Sequence, residues 1–128
     1  MDVEKVVAYF EFQYPGKKIV KLPKDNPTEI ICEVEPTEEN PQRSVADAVI
    51  DQSVPHLHQE STETYRILEE DVTLFIEADH IDLKTGDVFQ IPPGNLHWAV
   101  GNSALVRVIS EPGWKAEDHI LVEKGVEK

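Results

Sequence analysis

His56, His58, Glu63 and His97 are the side chains of this chain whose types and spacing could do chemistry together. His56 and His58 are two residues apart, so on an extended segment both imidazoles leave one face, roughly 7 Å apart along the strand. Glu63 follows after the polar stretch Gln59 to Thr62, which reads as a turn or strand crossing. His97 comes just behind Pro92-Pro93-Gly94-Asn95, a forced reversal that returns the chain to the start of a new strand. Three imidazoles and one carboxylate converging in a closed interior make a ligand set for a divalent transition metal. A His-x-His pair alone is more often a surface-strand feature, and Glu63 or His97 alone would be a surface or satisfied core residue. The expectation rests on the combination.

The elements that must position these residues are short strands. Gly86-Asp87 is a hairpin-type turn, and Val88 to Ile91 is a short apolar strand leading into the reversal. If Glu63 points inward, alternation sends Tyr65 and Ile67 inward with it and Arg66 to the other face. Tyr65 is therefore a candidate catalytic group beside the metal, with core packing as the plainer alternative. Ala99 is in phase with His97, while Leu96, Trp98 and Val100 face away.

These residues carry a family resemblance. The spacing H-x-H-x4-E at His56, His58 and Glu63, and G-x5-P-x-G-x2-H at Gly86, Pro92, Gly94 and His97, resembles the two motifs of the cupin superfamily. The resemblance covers residues 45 to 110 and extends to the small, single-domain metal-binding cupins. It implies an all-β fold, the double-stranded β-helix or jelly-roll barrel, with the three histidines and Glu63 as metal ligands. Two glycines of the family's first motif fall here at Ile50 and Glu70, and its closing asparagine falls at Gly101, with Asn102 one place late. The implied cofactor is one divalent transition metal: iron, manganese, nickel, zinc, cobalt or copper.

Composition narrows the partners. Twelve basic against 25 acidic residues give a net charge of −13 across 128 residues, which repels nucleic acid and anionic membrane surfaces alike. Cys32 is the only cysteine, so no intrachain disulfide forms, in keeping with a reducing cytoplasm. The start Met1-Asp2-Val3-Glu4 has neither a cationic beginning nor an apolar core of a signal peptide, and no apolar run approaches membrane-spanning length. The expected address is cytoplasmic. The length suits one domain over residues 1–128, with an N-terminal helix and arm over 1–28 and a loose tail over 124–128.

Taken in order, Val3, Val6, Val7, Phe10 and Tyr14 form one helical stripe with Asp2 as N-cap, ending at Pro15-Gly16. A strand reading of the same stretch competes with it. Strands are expected at Lys17 to Leu22, Glu29 to Val34, Val45 to Gln52, Thr64 to Leu68, Val72 to Glu77, Ile81 to Leu83, Val88 to Ile91, Leu96 to Val100 and Leu105 to Ser110. Turns are expected at Glu69 to Asp71, Ala78 to His80, Thr85-Gly86 and Gly101 to Ser103. Many short strands with regular punctuation indicate a sandwich or barrel.

The remaining functional candidates are weaker signals. Arg107 sits mid-strand between Val106 and Val108; it is expected either to be ion-paired or to bind the carboxylate or phosphate of a substrate. His80 and His119 are expected at the surface, with the barrel mouth as the alternative for His119. Trp98 and Trp114 read as core or interface aromatics. Two functions follow: a metal-dependent enzyme acting on a small molecule (dioxygenase, isomerase, epimerase or lyase), or a non-catalytic small-molecule or sugar-binding regulatory module with a structural metal. Unpaired strand edges and the N-terminal arm predict a homodimer.

Overall fold

The structure is a computed structural model and describes residues 1–122, so the tail expected to be loose lies outside the described residues. One helix, α1 (Val3–Gln13), precedes ten strands: β1 (Ile19–Leu22), β2 (Glu29–Glu35), β3 (Ser44–Gln52), β4 (His56–Leu57), β5 (Thr62–Glu69), β6 (Val72–Ile76), β7 (Asp79–Leu83), β8 (Val88–Ile91), β9 (His97–Glu111) and β10 (Ile120–Leu121). A 3-10 turn at Ala116–Asp118 links β9 to β10.

β9 is the hub. It pairs antiparallel with β3, β4, β5 and β6, and the order along the main sheet is β1-β2-β3-β9-β4-β10. Sequence reading splits β9 in two with a turn at Gly101 to Ser103; the structure runs a single 15-residue strand through that point. The Gly-Asn-Ser signal marks a bulge instead. Ile50 pairs with Ala104 while Gln52 pairs with Val100, so β9 carries extra residues between them. Ser103 takes φ 52° there, and its N–H and hydroxyl both donate to Asp51 Oδ1, at 2.7 and 3.2 Å. Gly101 is required at the bulge because a Cβ would stand 2.9 Å from Ala104 Cβ and 3.1 Å from the Ile50 carbonyl oxygen. The bulge lets one half of β9 pair with β4 and β6 and the other half with β5, curling the sheet into a barrel.

Two apolar layers result. Inward-facing Ala48, Ile50, Ile67, Leu74, Ala99 and Val106 fill the barrel. On the outer face, Ile30, Cys32, Val49 and Leu105 pack with Phe10 of α1, and Val3, Val6, Val7 and Tyr14 complete that contact. The helical stripe thus docks on its own sheet. Asp2 caps it by accepting the Lys5 N–H at 3.2 Å.

Elsewhere the turns differ in detail. Asp79 and His80 open β7 rather than lying in the turn, because the reversal is completed one step earlier with Glu77 at φ 51°. His80 is exposed as expected. Glu70, where the family's motif has glycine, adopts the left-handed φ of 66° that glycine would take. Among the described residues no helix is long and apolar enough to cross a membrane.

Candidate metal centre and its cavity

Strand register brings the four expected ligands together. His56 on β4 is the direct cross-strand partner of His97 on β9. Glu63 enters from β5, where it is held between Ile91 of β8 and Ser110 of β9. His58 lies just past β4, and its carbonyl accepts the Gly94 N–H at 2.6 Å. The Pro-Pro-Gly-Asn reversal therefore does more than deliver His97: Gly94, at φ 84°, ties it to the His-x-His segment.

All four side chains are buried. The Nε2 atoms of the three histidines face one carboxylate: His97 lies 2.8 Å from Glu63 Oε1, His56 3.6 Å from the same oxygen, and His58 3.3 Å from Oε2. Two of the rings are oriented by the backbone. His56 Nδ1 is 2.8 Å from the Val54 carbonyl and His97 Nδ1 is 2.9 Å from the Asn95 carbonyl. A carbonyl can only accept, so each Nδ1 donates there and Nε2 is the ring atom turned toward Glu63. A ring held this way offers Nε2 to a metal once any proton it shares with the carboxylate is displaced.

His58 completes the test of whether this set suits a metal. Both its ring nitrogens are buried without a hydrogen-bond partner. Buried polar atoms are rarely left so, and three nitrogens with one carboxylate oxygen are the donor set of a divalent transition ion. The residues fit such an ion, and His56, His58, Glu63 and His97 could hold it. Burial on its own would raise the Glu63 pKa, but the imidazoles of His56, His58 and His97 that face the carboxylate outweigh it and hold the carboxyl well below its usual range. Burial also pulls His58 down; Glu63 and Asp118 overcome that and leave its pKa raised.

Asp118, which sequence reading did not single out, braces the site from behind. Its carboxylate is buried in the 3-10 turn and accepts the backbone N–H groups of Gln59, Glu60 and Ser61 at 2.8, 3.0 and 3.1 Å. Those amides belong to the loop between His58 and Glu63. Asp118 Oδ2 also stands 3.8 Å from His58 Nδ1. One carboxylate thus fixes the loop and faces the ring of a ligand.

His119 joins the site rather than the surface. Its ring stacks on His56 at 4.5 Å and meets His58 edge-on at 5.4 Å. Docking follows from β10, whose Ile120 and Leu121 pair with Leu57 and His56. Burial, reinforced by the charges of His56 and His58, lowers the His119 pKa to about 4, so the ring is neutral near pH 7. The Trp114 indole N–H donates to His119 Nδ1 at 3.0 Å, which puts the remaining proton on Nε2.

Beside the site opens a cavity of about 640 Å³, lined in part by His56, Glu63 and His119 and within the usual range for small-molecule sites. Tyr65 forms part of its wall, edge-on to His97 at 6.1 Å. Burial, aided by the charges of Glu63 and Glu29, pushes the Tyr65 pKa well above 10, so its hydroxyl remains a donor. Glu29 of β2 also lines the cavity. Burial pushes its carboxyl up to about 7, the charge on His56 opposing and that on Glu63 adding. The sequence places Glu29 at the start of a strand without singling it out, and nothing local shows that its side faces a cavity.

Arg107 is not brought to the site. It points to the outer face beneath α1, where Nε and one terminal nitrogen donate to Asp47 at 2.9 and 3.1 Å. The same terminal nitrogen donates to the Tyr14 hydroxyl at 3.1 Å. The expectation that Arg107 binds a substrate anion is corrected accordingly: alternation along β9 turns it away from the cavity that Val108 and Ser110 line.

No family model matches the chain. Over 72 residues it is 33% identical to an uncharacterized protein of Aquifex aeolicus (strain VF5), covering 55% of this chain and 60% of that one. The chain thus spans less than two thirds of that relative. Similar solved structures include Pac13 of Streptomyces, a nucleoside dehydratase, with TM-score 0.72 and 12% identity over 84% of this chain and 85% of Pac13. KdgF from Halomonas sp. superposes with TM-score 0.64 and 19% identity, over 76% of this chain and 89% of KdgF. Oxalate decarboxylase from Bacillus subtilis gives TM-score 0.71 and 13% identity, over 85% of this chain but 31% of that larger protein. At such identities what is shared is the fold, and this chain is folded as a cupin-type β-barrel.

Proposed function

We propose that this protein binds one divalent transition metal through His56, His58, Glu63 and His97 and acts on a small molecule held in the cavity beside it. The observation that carries this reading is the convergence of three Nε2 atoms on the Glu63 carboxylate beside a ligand-sized cavity that His56 and Glu63 line. Such an ion, when bound, supplies a Lewis acid and lowers the pKa of coordinated water. The chain's own residues supply the rest. Asp118 holds the loop carrying His58 and Glu63, and the Val54 and Asn95 carbonyls orient two of the rings. Tyr65 offers an O–H donor beside His97. Glu29, poised near neutrality, can take or give a proton.

Among the reaction types open to the fold, Glu29 and Tyr65 favour proton transfer: an isomerase, epimerase or lyase over a dioxygenase. Metal analysis of untagged protein checks the centre, followed by turnover assays on a small-metabolite panel. His58→Ala should lower metal affinity by more than the 10–100-fold typical of losing a supporting hydrogen bond around a ligand. Full metal occupancy in that variant would refute the ligand set. Tyr65→Phe should lower turnover with metal retained; unchanged kinetics would reduce Tyr65 to packing. Metal without any turnover would favour the binding module with a structural ion. The reading includes a homodimer, supported by β1 at the sheet edge and by Phe12, 82% exposed on α1. Light scattering at micromolar concentration should give twice the chain mass.

A further inference from the structure

The charge of the cavity wall bears on what it can admit. Besides Glu63, Glu29, Glu33, Glu35, Glu38 and Glu117 line it. Among the described residues only two cations do, and both are already paired: Lys18 lies 4.0 Å from Glu33 and Lys115 3.7 Å from Glu60. None of the arginines lines the cavity. Arg43 pairs with Glu35 and Glu111, Arg107 is held by Asp47 under the helix, and Arg66 is exposed on the outer side of β5. Beside the metal ligands, then, no unpaired cation of a described residue waits for a carboxylate or phosphate. Recognition of such anions ordinarily uses Arg or Lys.

The carboxylates are not equivalent. Glu35 and Glu33 have basic neighbours, but no hydrogen bond or ion pair from a described residue holds the carboxylate of Glu29. Glu29 is half-buried on β2 and lines the same cavity as His56 and Glu63. A carboxyl group partly withdrawn from water without a partner is less stable than one that is paired, and a ligand donor would offset that loss. The apolar part of the same wall is formed by Val20, Leu22, Ile31, Ala46, Ala48 and Val108.

We infer that the cavity selects a non-anionic small molecule, one with an apolar face and an ammonium or hydroxyl group that donates to Glu29. This rests on the cavity being the small-molecule site proposed above, and it narrows that reading to a substrate class. Glu29 is the specificity-determining residue. The ammonium form is preferred over the hydroxyl because the wall is negatively charged and Glu29 gains a charge-assisted hydrogen bond.

The test uses three probes on one scaffold, cyclohexylmethylamine, cyclohexylmethanol and cyclohexanecarboxylate, against the full chain at pH 8, both nickel-loaded and metal-free. Binding is read from NMR shifts of the Ile31 and Val108 amides. The amine should bind at least about tenfold tighter than the carboxylate, the effect of one charge-assisted hydrogen bond, with the alcohol between them. In Glu29→Gln the amine-to-carboxylate ratio should collapse toward one. Carboxylate binding as tight as amine in the wild-type chain overturns the inference, whether or not the variant folds. So does an unmoved ratio in Glu29→Gln, or the failure of every probe to shift those amides at millimolar concentration. The two readings fail separately. A chain that takes up no nickel refutes the metal centre, while the ratio in metal-free protein still decides the substrate class; a nickel-loaded chain that prefers the carboxylate refutes only the latter.

Discussion

Two buried polar clusters are built on the two faces of the same sheet, and they are finished differently. Under α1, Asp47 is fully buried and accepts from the Tyr14 hydroxyl at 2.7 Å and from two Arg107 nitrogens at 2.9 and 3.1 Å. Arg107 in turn donates to Tyr14, so the three side chains close on one another. In the barrel, three imidazoles crowd a single carboxylate and His58 keeps two ring nitrogens without a hydrogen-bond partner. A network that closes on itself clamps helix to sheet and asks for nothing further. A network with orphaned nitrogens is costly until another partner arrives, which is the mark of a binding centre rather than of a structural tie.

Separating the clusters by mutation is the most direct way to break this comparison. Asp47→Ala leaves Arg107 and the Tyr14 hydroxyl without their acceptor and should destabilise the fold by about 2–4 kcal/mol in denaturant melts. Metal content of the folded fraction should be unchanged. Loss of metal together with stability would show the two faces to be one unit.

Asp118→Asn probes the opposite case. The amide keeps one acceptor oxygen for the loop N–H groups but loses the charge facing His58. Metal affinity should fall by about tenfold, as for other groups that orient a ligand, with a smaller loss of stability. Calorimetric titration with nickel and a denaturant melt read the two effects separately, and an effect on stability alone would make Asp118 a loop anchor only.

The smallest expected effect sharpens the comparison within the cavity itself. Folding raises the Glu29 pKa from 4.5 to about 7, so the group's contribution is fully present below the unfolded value and is lost as pH climbs through the folded one. Stability should therefore drop between pH 4.5 and about 7 through this carboxyl. Glu29→Gln should raise stability by about 1–2 kcal/mol at pH 8 and by nothing below pH 4.5, since the wild-type group is neutral there in both states. A pH-independent difference between the two proteins would place Glu29 in contact with bulk water.

The amino-acid sequence by itself determined most of the elements and the group of candidate ligands. Alternation and turn chemistry are local, so the helix stripe, most strand positions and the Pro-Pro-Gly-Asn reversal could be read directly, and fixed spacing made His56, His58, Glu63 and His97 recognisable as a group. Where local signals were ambiguous, tertiary structure decided. Gly101 to Ser103 carries turn residues, yet a bulge satisfies the same backbone preferences within a continuous strand, and only the pairing with β3 distinguishes the two. The same holds for the faces of strands. Glu29 and Arg107 both look like polar interruptions of a strand, but curling of the sheet turns one toward the cavity and the other beneath the helix. Asp118 and His119 reach the centre only because β10 pairs with β4 from the far end of the described chain. Sequence spacing names groups that lie close along the strand; which distant groups join them depends on how the sheet closes, a property of the whole barrel and of no single segment.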